Sequence, residues 1–164
     1  MKSAQLSKNK IYAIDELLKK VNTWKLLGKK IVFTNGVFDL LHEGHISSLQ
    51  EAASYGDILI VGVNADASVK KIKGPNRPIY TENARAILLA ALLCTDAVII
   101  FEENTPEELI KLILPDILVK GGDYTIDQIA GAKQVLENGG QVILASMIPG
   151  ISTTKNIENI TTHN

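Results

Sequence analysis

Two histidines and two glycines form the most informative cluster in the chain. His42 and His45 are two of only three histidines among 164 residues, and they are three positions apart. Gly36 follows an apolar run typical of a buried strand, and Gly44 precedes a segment with helical periodicity. The first turn of a helix presents unpaired N–H groups and a partial positive charge. This strand–loop–helix unit therefore predicts a phosphate-binding site with both histidines beside it.

A zinc site is the alternative interpretation of the same two histidines. Their spacing would allow two imidazoles to share a metal ion, but no cysteine partner accompanies them. A metal site also gives Gly36 and Gly44 no role. The phosphate site accounts for all four residues, so we predict that no residue of the protein ligates a metal. His163, near the end of the chain, is predicted to be inert.

Short apolar runs alternate with helical patterns along the chain. Strands are predicted at residues 30–35, 57–63, 97–101, 116–119 and 141–145. Helices are predicted at residues 15–27, 44–55, 66–72, 81–93, 127–138 and 152–160, and one more begins with the cap Thr105 and Pro106 and ends at Pro115. This alternation is typical of a parallel sheet covered on both faces. We therefore predict an α/β fold, a Rossmann-like, doubly wound sheet of five parallel strands.

Length and composition limit the remaining possibilities. Residues 1–10 are polar and are predicted to be a flexible tail, and residues 11–164 are predicted to form a single domain. A formal net charge of −1 argues against a nucleic-acid-binding protein. The single cysteine, Cys94, allows no intrachain disulfide and fits a reducing compartment. No apolar run approaches the ~20 residues of a membrane span, so we expect a cytoplasmic protein that does not contact a membrane.

Four loops with unusual composition follow predicted strands. They are residues 36–44, 64–66, 120–124 and 150–154. Parallel sheets bind their ligands outside the carboxyl ends of the strands, where the strand order reverses. We therefore expect the four loops to converge on one site. A fifth loop, residues 73–78, contributes Lys73 and Arg77, two cations that are expected to reach phosphate groups.

The chain resembles the cytidylyltransferase-like nucleotidyltransferase superfamily in two motifs. The first is Gly-x-Phe-Asp-x-x-His-x-Gly-His, which residues 36–45 match at every fixed position. The second is a late Gly-x-Ser-Thr motif, matched by residues 150–153. In that superfamily the histidines stabilise charge that develops on the phosphates. The Ser-Thr segment opens the last helix and holds the β- and γ-phosphates, and the resemblance implies the same roles here.

Four further segments resemble the heptose 1-phosphate adenylyltransferases: residues 64–69, 73–78, 105–110 and 114–124. The similarity extends from about residue 29 to residue 160. It implies transfer of AMP from ATP to a heptose 1-phosphate, with ADP-heptose for the lipopolysaccharide core and pyrophosphate as products. It also implies Mg²⁺ bound with ATP, a homodimer, and the stand-alone form of a domain that is often fused to a sugar kinase. The chain departs from its relatives at Val37, where many carry cysteine, and at Lys155.

The motifs and the resemblance together define the predicted site. The predicted catalytic residues are His42, His45 and Lys73. The predicted nucleotide-binding residues are Asn35, Gly36, Val37, Phe38, Gly44, Lys120, Gly121, Ser152, Thr153 and Thr154. The predicted substrate-binding residues are Asp39, Asn64, Asp66, Arg77 and Asp123. Arg85 is expected only to pair with an acid of its own helix, for example Glu82.

Two other functions stay open at this point. A cytidylyltransferase acting on glycerol 3-phosphate or a similar alcohol phosphate would share the histidine motif. The cytidylyl branch usually has an arginine just before Gly150, however, and this chain has none in residues 147–149. A non-catalytic ATP-binding module of the same fold would bind ATP without releasing pyrophosphate, but simple binding does not require both histidines.

Overall fold

A single parallel sheet forms the centre of the molecule. The computed structural model describes residues 8–122, 124–146 and 153. Its strands are β1 (Ile31–Gly36), β2 (Ile58–Asn64), β3 (Ala97–Phe101), β4 (Ile117–Gly121) and β5 (Gln141–Ala145). They lie in the order β3-β2-β1-β4-β5, and every neighbouring pair is parallel. The predicted five-stranded α/β fold is confirmed.

Helices cover both faces of this sheet. They are α1 (Ile14–Leu26), α2 (Glu43–Ala53), α3 (Asp66–Lys73), α4 (Glu82–Ala90), α5 (Glu107–Ile113) and α6 (Ala132–Glu137). Successive side chains of a strand point to opposite faces. Ile31 and Phe33 accordingly join a core cluster with α1, α5 and α6, whereas Val32 joins a second cluster with α2 and α4. Among the described residues, no helix has both the length and the apolar character needed to span a bilayer.

The strand order places its reversal at the centre of the sheet. β1 pairs with β2 on one side and with β4 on the other. Chain connections therefore leave β1 and β4 in opposite directions, and a crevice opens beyond their carboxyl ends. The predicted loops that follow β1 and β4 meet at this crevice.

The N-terminal boundary differs from the prediction. Within the predicted tail, Lys8–Lys10 form a 3-10 helix. Lys10 Nζ donates to the carbonyl oxygens of Leu92 at 3.1 Å and Thr95 at 2.6 Å. The domain therefore begins at least three residues earlier than predicted, because a long side chain ties this segment to the end of α4. Residues 1–7 lie outside the described residues.

The predicted helix at residues 127–138 is wrong as a continuous element. The chain forms a 3-10 helix at Ile126–Gln128 and then α6 at Ala132–Glu137. Gly131 between them adopts a φ of 83°, and a Cβ at this position would lie 2.6 Å from Ile110 Cδ1. The helix is interrupted because the chain passes closely over α5 here, which only a glycine allows.

Two helix starts can be compared with the prediction. The helix predicted from residue 81 begins at Glu82, and Thr81 is its cap, since its Oγ1 accepts from the N–H of Ala84 at 3.3 Å. The start of α5 is displaced by one residue, because Pro106 occupies the cap position and the helix begins at Glu107. The predicted last helix, residues 152–160, lies outside the described residues except for Thr153.

Candidate active site

A cavity of about 560 Å³ opens beyond the carboxyl ends of β1 and β4. Most of the predicted site residues line it together: Asn35, Gly36, Val37, Phe38, Asp39, His42, Gly44, His45, Asn64, Lys73, Arg77, Lys120, Gly121 and Thr153. Asp66 is not among the lining residues. Asp123, Ser152 and Thr154 lie outside the described residues. The expected convergence of loops is therefore seen, whereas the roles of the individual residues stay predictions.

The two motif histidines are stacked on each other at the start of α2. Their ring centroids are 3.8 Å apart and their planes are inclined by 20°. His42 occupies the N-cap position of α2 and His45 lies in its first turn, so the helix fixes their spacing. The edge of the Phe38 ring meets His45 with centroids 5.5 Å apart. The pair is thus held between the helix end and an aromatic ring.

Burial makes both imidazoles poor bases. It lowers the pKa of His45 from 6.5 to about 4, and the neighbouring His42 adds to this effect while Asp39 opposes it. Burial also lowers the pKa of His42, against the opposing charge of Glu43. Nδ1 of each ring is buried without a hydrogen-bond partner among the described residues. In the unliganded protein the pair is therefore neutral near pH 7.

The loop that leads to the histidines has an unusual backbone. This histidine loop, residues 37–42, holds Phe38 at a φ of 51° and Leu40 at a φ of 48°. Such left-handed conformations are uncommon for residues other than glycine and persist only where surrounding contacts impose them. A Cβ on Gly36 would lie 3.1 Å from the Phe38 ring. The glycine thus lets the Phe38 ring pack closely against the strand end.

Asp39, predicted to bind the substrate, lines the cavity and connects parts of its wall through a buried carboxylate. Its side chain is only 1% exposed. Oδ2 accepts from Arg77 Nε and Nη2, both at 2.9 Å, and from the N–H of Ile79 at 2.8 Å, while Oδ1 accepts from the N–H of Tyr80 at 3.0 Å. Its backbone oxygen accepts from Thr153 Oγ1 at 2.9 Å. Asp39 therefore joins three segments of the cavity wall.

The charge state of Asp39 follows from these contacts. Burial by itself would raise the pKa of the carboxyl group. The N–H groups of Tyr80 and Ile79 and the Arg77 guanidinium outweigh burial, so that the pKa is lowered. The carboxylate is charged at neutral pH and anchors Arg77 at the cavity edge.

Arg85 makes more contacts around the site than its sequence position predicted. It is fully buried and makes no bond to Glu82. Its guanidinium donates to the carbonyl oxygens of Tyr80, Val37 and Asn64 and to Asp66 Oδ1, at 2.6 to 3.0 Å. The expected pairing on its own helix is therefore wrong.

The helical periodicity of α4 could have indicated that Arg85 is buried. Arg85 lies on the same face of α4 as Ala86 and Leu89, which are both fully buried. A charged residue on a buried helix face requires partners from other segments. Asp66, one of those partners, was predicted to contact the substrate. Its carboxylate instead pairs with Arg85 at 2.7 Å, away from the cavity.

Lys120 occupies the switch point itself. Its Nζ donates to the backbone oxygen of Asn35 at 3.3 Å and to Asn35 Oδ1 at 3.2 Å, and thereby links the ends of β4 and β1. The ammonium group lies 5.8 Å from the centroid of the Tyr124 ring. Burial lowers the pKa of Lys120. Lys73, predicted in a loop, is instead the last residue of α3 and also reaches the cavity.

Several further residues line the cavity, and apart from Tyr124, which belongs to the predicted loop 120–124, they were not predicted to do so. They are Thr34, Ser48, Leu49, Ile72, Asn104, Thr105, Pro106, Tyr124, Gln128, Ile129 and Ala130. Asn104 to Pro106 follow β3, and Tyr124 to Ala130 follow β4. The rule that ligands bind beyond the carboxyl ends of parallel strands also covers the loop after β3, which the sequence analysis did not include.

Comparison with known proteins agrees with this geometry. The pattern that defines the Cytidylyltransferase-like family matches residues 33–161. The chain belongs to the cytidylyltransferase-like family. Membership in this family makes the chain a nucleotidyltransferase, and the matched residues include all of the cavity wall that follows β1.

Individual relatives place the chain more closely within the cytidylyltransferase-like family. It is 50% identical over 153 residues to the bifunctional protein HldE of Geotalea uraniireducens and 48% identical over 152 residues to that of Methylobacillus flagellatus. Each match covers 93% of this chain but 31% of the relative. The chain therefore spans about a third of the length of the curated relatives it matches.

Solved structures show the same fold. The lipopolysaccharide core biosynthesis protein from Thermoplasma volcanium is 31% identical, with a TM-score of 0.62, and the match covers 74% of this chain and 99% of that one. Pantoate-beta-alanine ligase from Francisella tularensis gives a TM-score of 0.61 at 18% identity, over 91% of this chain and 72% of that one. The second likeness concerns the fold alone.

Proposed function

We propose that this chain transfers AMP from ATP to a heptose 1-phosphate, with ADP-heptose and pyrophosphate as products. The observation that carries the proposal is the stacked pair of His42 and His45 at the start of α2, inside the cavity beyond β1 and β4. The sugar phosphate is supported by the segments that resemble heptose 1-phosphate adenylyltransferases. Similarity to HldE proteins and to a lipopolysaccharide core biosynthesis protein supports it further.

The proposed reaction needs positioning more than covalent help. An oxygen of the sugar phosphate attacks the α-phosphorus of ATP in line, the bond to the β-phosphate oxygen breaks, and pyrophosphate leaves. Among the described residues, Nδ1 of each histidine is buried without an acceptor, so a proton there would be an unsatisfied donor. The favoured neutral tautomer carries its proton on Nε2. His42 and His45 then act as hydrogen-bond donors to phosphate oxygens.

Among the described residues, positive charge at the cavity wall comes from three side chains. Lys73, Arg77 and Lys120 line it from α3, from the loop after α3 and from the end of β4. In the proposal, Lys73 and Arg77 contact phosphate groups and Lys120 contacts the nucleotide. The N–H groups at the start of α2, near Gly44, add a site for one phosphate.

The remaining predicted contacts belong to the same proposal. Nucleotide contacts come from the strand end and the late motif: Asn35, Gly36, Val37, Phe38, Gly121, Ser152, Thr153 and Thr154. Asn64 and Asp123 complete the substrate side, and Asp39 and Asp66 act indirectly through Arg77 and Arg85.

Mg²⁺ enters the proposal as the companion of ATP. Within the described residues, no group of three or more histidine, cysteine or acidic side chains is placed to hold a metal ion. The carboxylate of Asp39 is already surrounded by N–H donors. Such a site suits an ion held by phosphate oxygens and water, and the ion would neutralise charge on the triphosphate.

We further propose that the protein works in the cytoplasm as a homodimer, without a nucleic-acid partner. Leu26, Leu27, Leu93 and Leu112 expose 88%, 69%, 101% and 58% of their surface. Their burial against a second copy would remove this apolar area from water. Light scattering on the purified protein should give twice the mass of one chain, and a monomer at micromolar concentration would contradict the proposal.

A pyrophosphate-release assay tests the reaction. The purified chain is incubated with Mg²⁺, with ATP or CTP, and with heptose 1-phosphate or glycerol 3-phosphate. We expect pyrophosphate and ADP-heptose, identified by mass spectrometry, only with ATP and heptose 1-phosphate. Activity restricted to CTP and an alcohol phosphate would instead identify a cytidylyltransferase. Tight ATP binding without pyrophosphate release from any acceptor would identify a binding module.

The histidines are tested separately. His45→Ala should lower kcat on the order of 10²-fold or more, as does loss of a preorganised donor in other enzymes. The matched control is His163→Ala, which changes the one histidine outside the motif and should leave kcat unchanged. Normal turnover by a folded His45→Ala protein would rule out the assigned role.

A further inference from the structure

The guanidinium of Arg85 connects segments that are far apart in sequence. Its side chain is fully buried in α4. Nη1 donates to the oxygen of Val37 at 2.6 Å, and Nη2 donates to the oxygen of Asn64 at 2.8 Å and to Asp66 Oδ1 at 2.7 Å. Nε donates to the oxygen of Tyr80 at 3.0 Å. Each of the three nitrogen atoms thus has at least one acceptor.

The acceptors belong to the segments that build the cavity. Val37 begins the histidine loop and immediately precedes Phe38, which has a left-handed backbone. Asn64 is the last residue of β2, and Asp66 is the first residue of α3, the helix that ends with Lys73.

Arg85 itself does not face the cavity. No residue of α4 is among its lining residues. A second residue of α4, Glu82, accepts the N–H of Asp66 at 2.6 Å. α4 therefore holds the start of α3 through two hydrogen bonds, one from the Asp66 N–H to Glu82 and one from Arg85 to the Asp66 carboxylate. Among the described residues, its hydrogen bond to the histidine loop comes from Arg85.

We propose that Arg85 is a positioning residue that sets the histidine loop and α3 in one catalytic arrangement. The contact to the Val37 oxygen fixes the peptide group next to Phe38, whose ring packs against His45. The contact to Asp66 fixes the start of the helix that carries Lys73. The effect on catalysis rests on the proposed function, whereas the effect on the histidines does not.

Only an arginine can make this set of bonds. Its planar group offers five N–H donors in fixed directions, whereas a lysine offers three donors from a single nitrogen atom. Arg85→Lys keeps the charge and a similar length but cannot reach Val37, Tyr80 and the Asn64–Asp66 pair together. The variant therefore tests geometry rather than charge.

The first measurement uses the unliganded protein. The proton NMR signals of His45, assigned by replacing each histidine in turn, are followed between pH 3 and pH 8 in wild type and in Arg85→Lys. In wild type the pKa of His45 is about 4 because the ring is buried against His42. Release of the loop exposes the ring, so its pKa should rise towards 6.5. An unchanged His45 titration in a folded Arg85→Lys protein would overturn the proposal.

The second measurement is turnover. Displacement of catalytic groups by about 1 Å costs on the order of 10²-fold in rate, so kcat of Arg85→Lys should fall roughly 10- to 100-fold. Leu89→Val and Leu89→Ala are matched controls, since Leu89 is fully buried one turn further along the same helix and does not line the cavity. One of these variants should lower the melting temperature less than Arg85→Lys does, and the other should lower it more. Both should keep the kcat and the His45 titration of wild type. Equal losses of kcat in the controls would show that Arg85 stabilises the fold and does not specifically position the histidine loop.

A second variant covers the case in which Arg85→Lys does not fold. Asp66→Ala removes the charged partner of Arg85 at a side chain that is 29% exposed. The freed guanidinium should shift, and the pKa of His45 should move in the same direction by a smaller amount. A direct contact between Asp66 and a substrate would change KM but leave the unliganded titration as in wild type, and that result would count against the proposal. An inactive wild-type protein would contradict the proposed function and leave the NMR comparison valid.

Discussion

Asp39→Asn is the most direct test of the buried network that supports the site. The carboxylate accepts from Arg77 and from the N–H groups of Ile79 and Tyr80 with its two oxygens. Asparagine has nearly the same shape but only one oxygen, and its nitrogen donates. The amide nitrogen must therefore face either the N–H of Tyr80 or the donors to Oδ2, which are Arg77 and the N–H of Ile79.

The burial of Asp39 and Arg77 determines how much of the free energy of unfolding Asp39→Asn should lose. One buried donor without an acceptor costs about 1–3 kcal/mol. Removal of one partner from a fully buried ion pair costs about 3–5 kcal/mol. Asp39 is 1% exposed but Arg77 keeps 16% of its side-chain exposure, so we take the lower end, about 3 kcal/mol. For a domain of this size that corresponds to a decrease of about 6–12 °C in Tm.

Urea unfolding followed by the fluorescence of Trp24 measures this loss. Trp24 is the single tryptophan; it lies in α1 and packs against the core cluster that α1, α5 and α6 share, which does not include Asp39. The midpoint should fall while the slope stays constant. The control Asp127→Asn makes the same chemical change at an exposed residue and should stay within about 0.5 kcal/mol of wild type. A variant Asp39→Asn as stable as wild type would refute the reasoning about the network.

Three other predictions concern charge, contact and backbone. The folded pKa of His45 is about 4 against 6.5 in the unfolded chain; the unfolded state binds the proton first, so stability should fall as pH drops from 6.5 to 4, by about 3 kcal/mol at most. In His45→Gln the midpoint of urea unfolding should change less with pH between 6.5 and 4. The same pH dependence as in wild type would contradict the assignment of this stability change to His45. Thr153→Val removes the bond to the histidine loop and should cost about 1 kcal/mol and raise KM for ATP; an unchanged KM would separate Thr153 from nucleotide binding. Gly131 and Gly139 both have positive φ, of 83° and 79°, so alanine should cost about 1–2 kcal/mol at either position. Only Gly131→Ala also meets a neighbour, at 2.6 Å, and thermal denaturation should show the larger loss for it; equal losses would argue against close packing there.

Local features of the sequence were sufficient for much of the fold. The strands and most of the helices follow from hydrophobic periodicity, and the helix predicted from residue 81 begins at Glu82. The place of the candidate site could be predicted for the same reason, because a strand end, a glycine and a helix start are neighbours along the chain. His42 and His45 lie within one turn of α2, so their stacking needs little more than the helix itself.

The interruption of the helix before α6 could not be predicted from local features of the sequence. Residues 127–138 carry an acceptable helical pattern, and Gly131 within it is not unusual in a short surface helix. Gly131 combines a positive φ with a close approach to Ile110, 21 positions earlier in the chain, where a Cβ would lie 2.6 Å from Cδ1. A steric contact between distant segments leaves no trace in local periodicity.

The order of the strands and the partners of the buried charges were decided only by the tertiary structure. Asp39 meets Arg77 across 38 positions of sequence, and Arg85 meets Val37 across 48. A buried charge requires a partner, but its residue type does not say which one. The sequence by itself determined the layered fold, the site at the strand ends and the histidine pair that lines it. Only folding could place Asp39 and Arg85 where they hold the cavity wall together. The packed sheet is what brings the donors to Asp39 and the acceptors of Arg85 within hydrogen-bond distance.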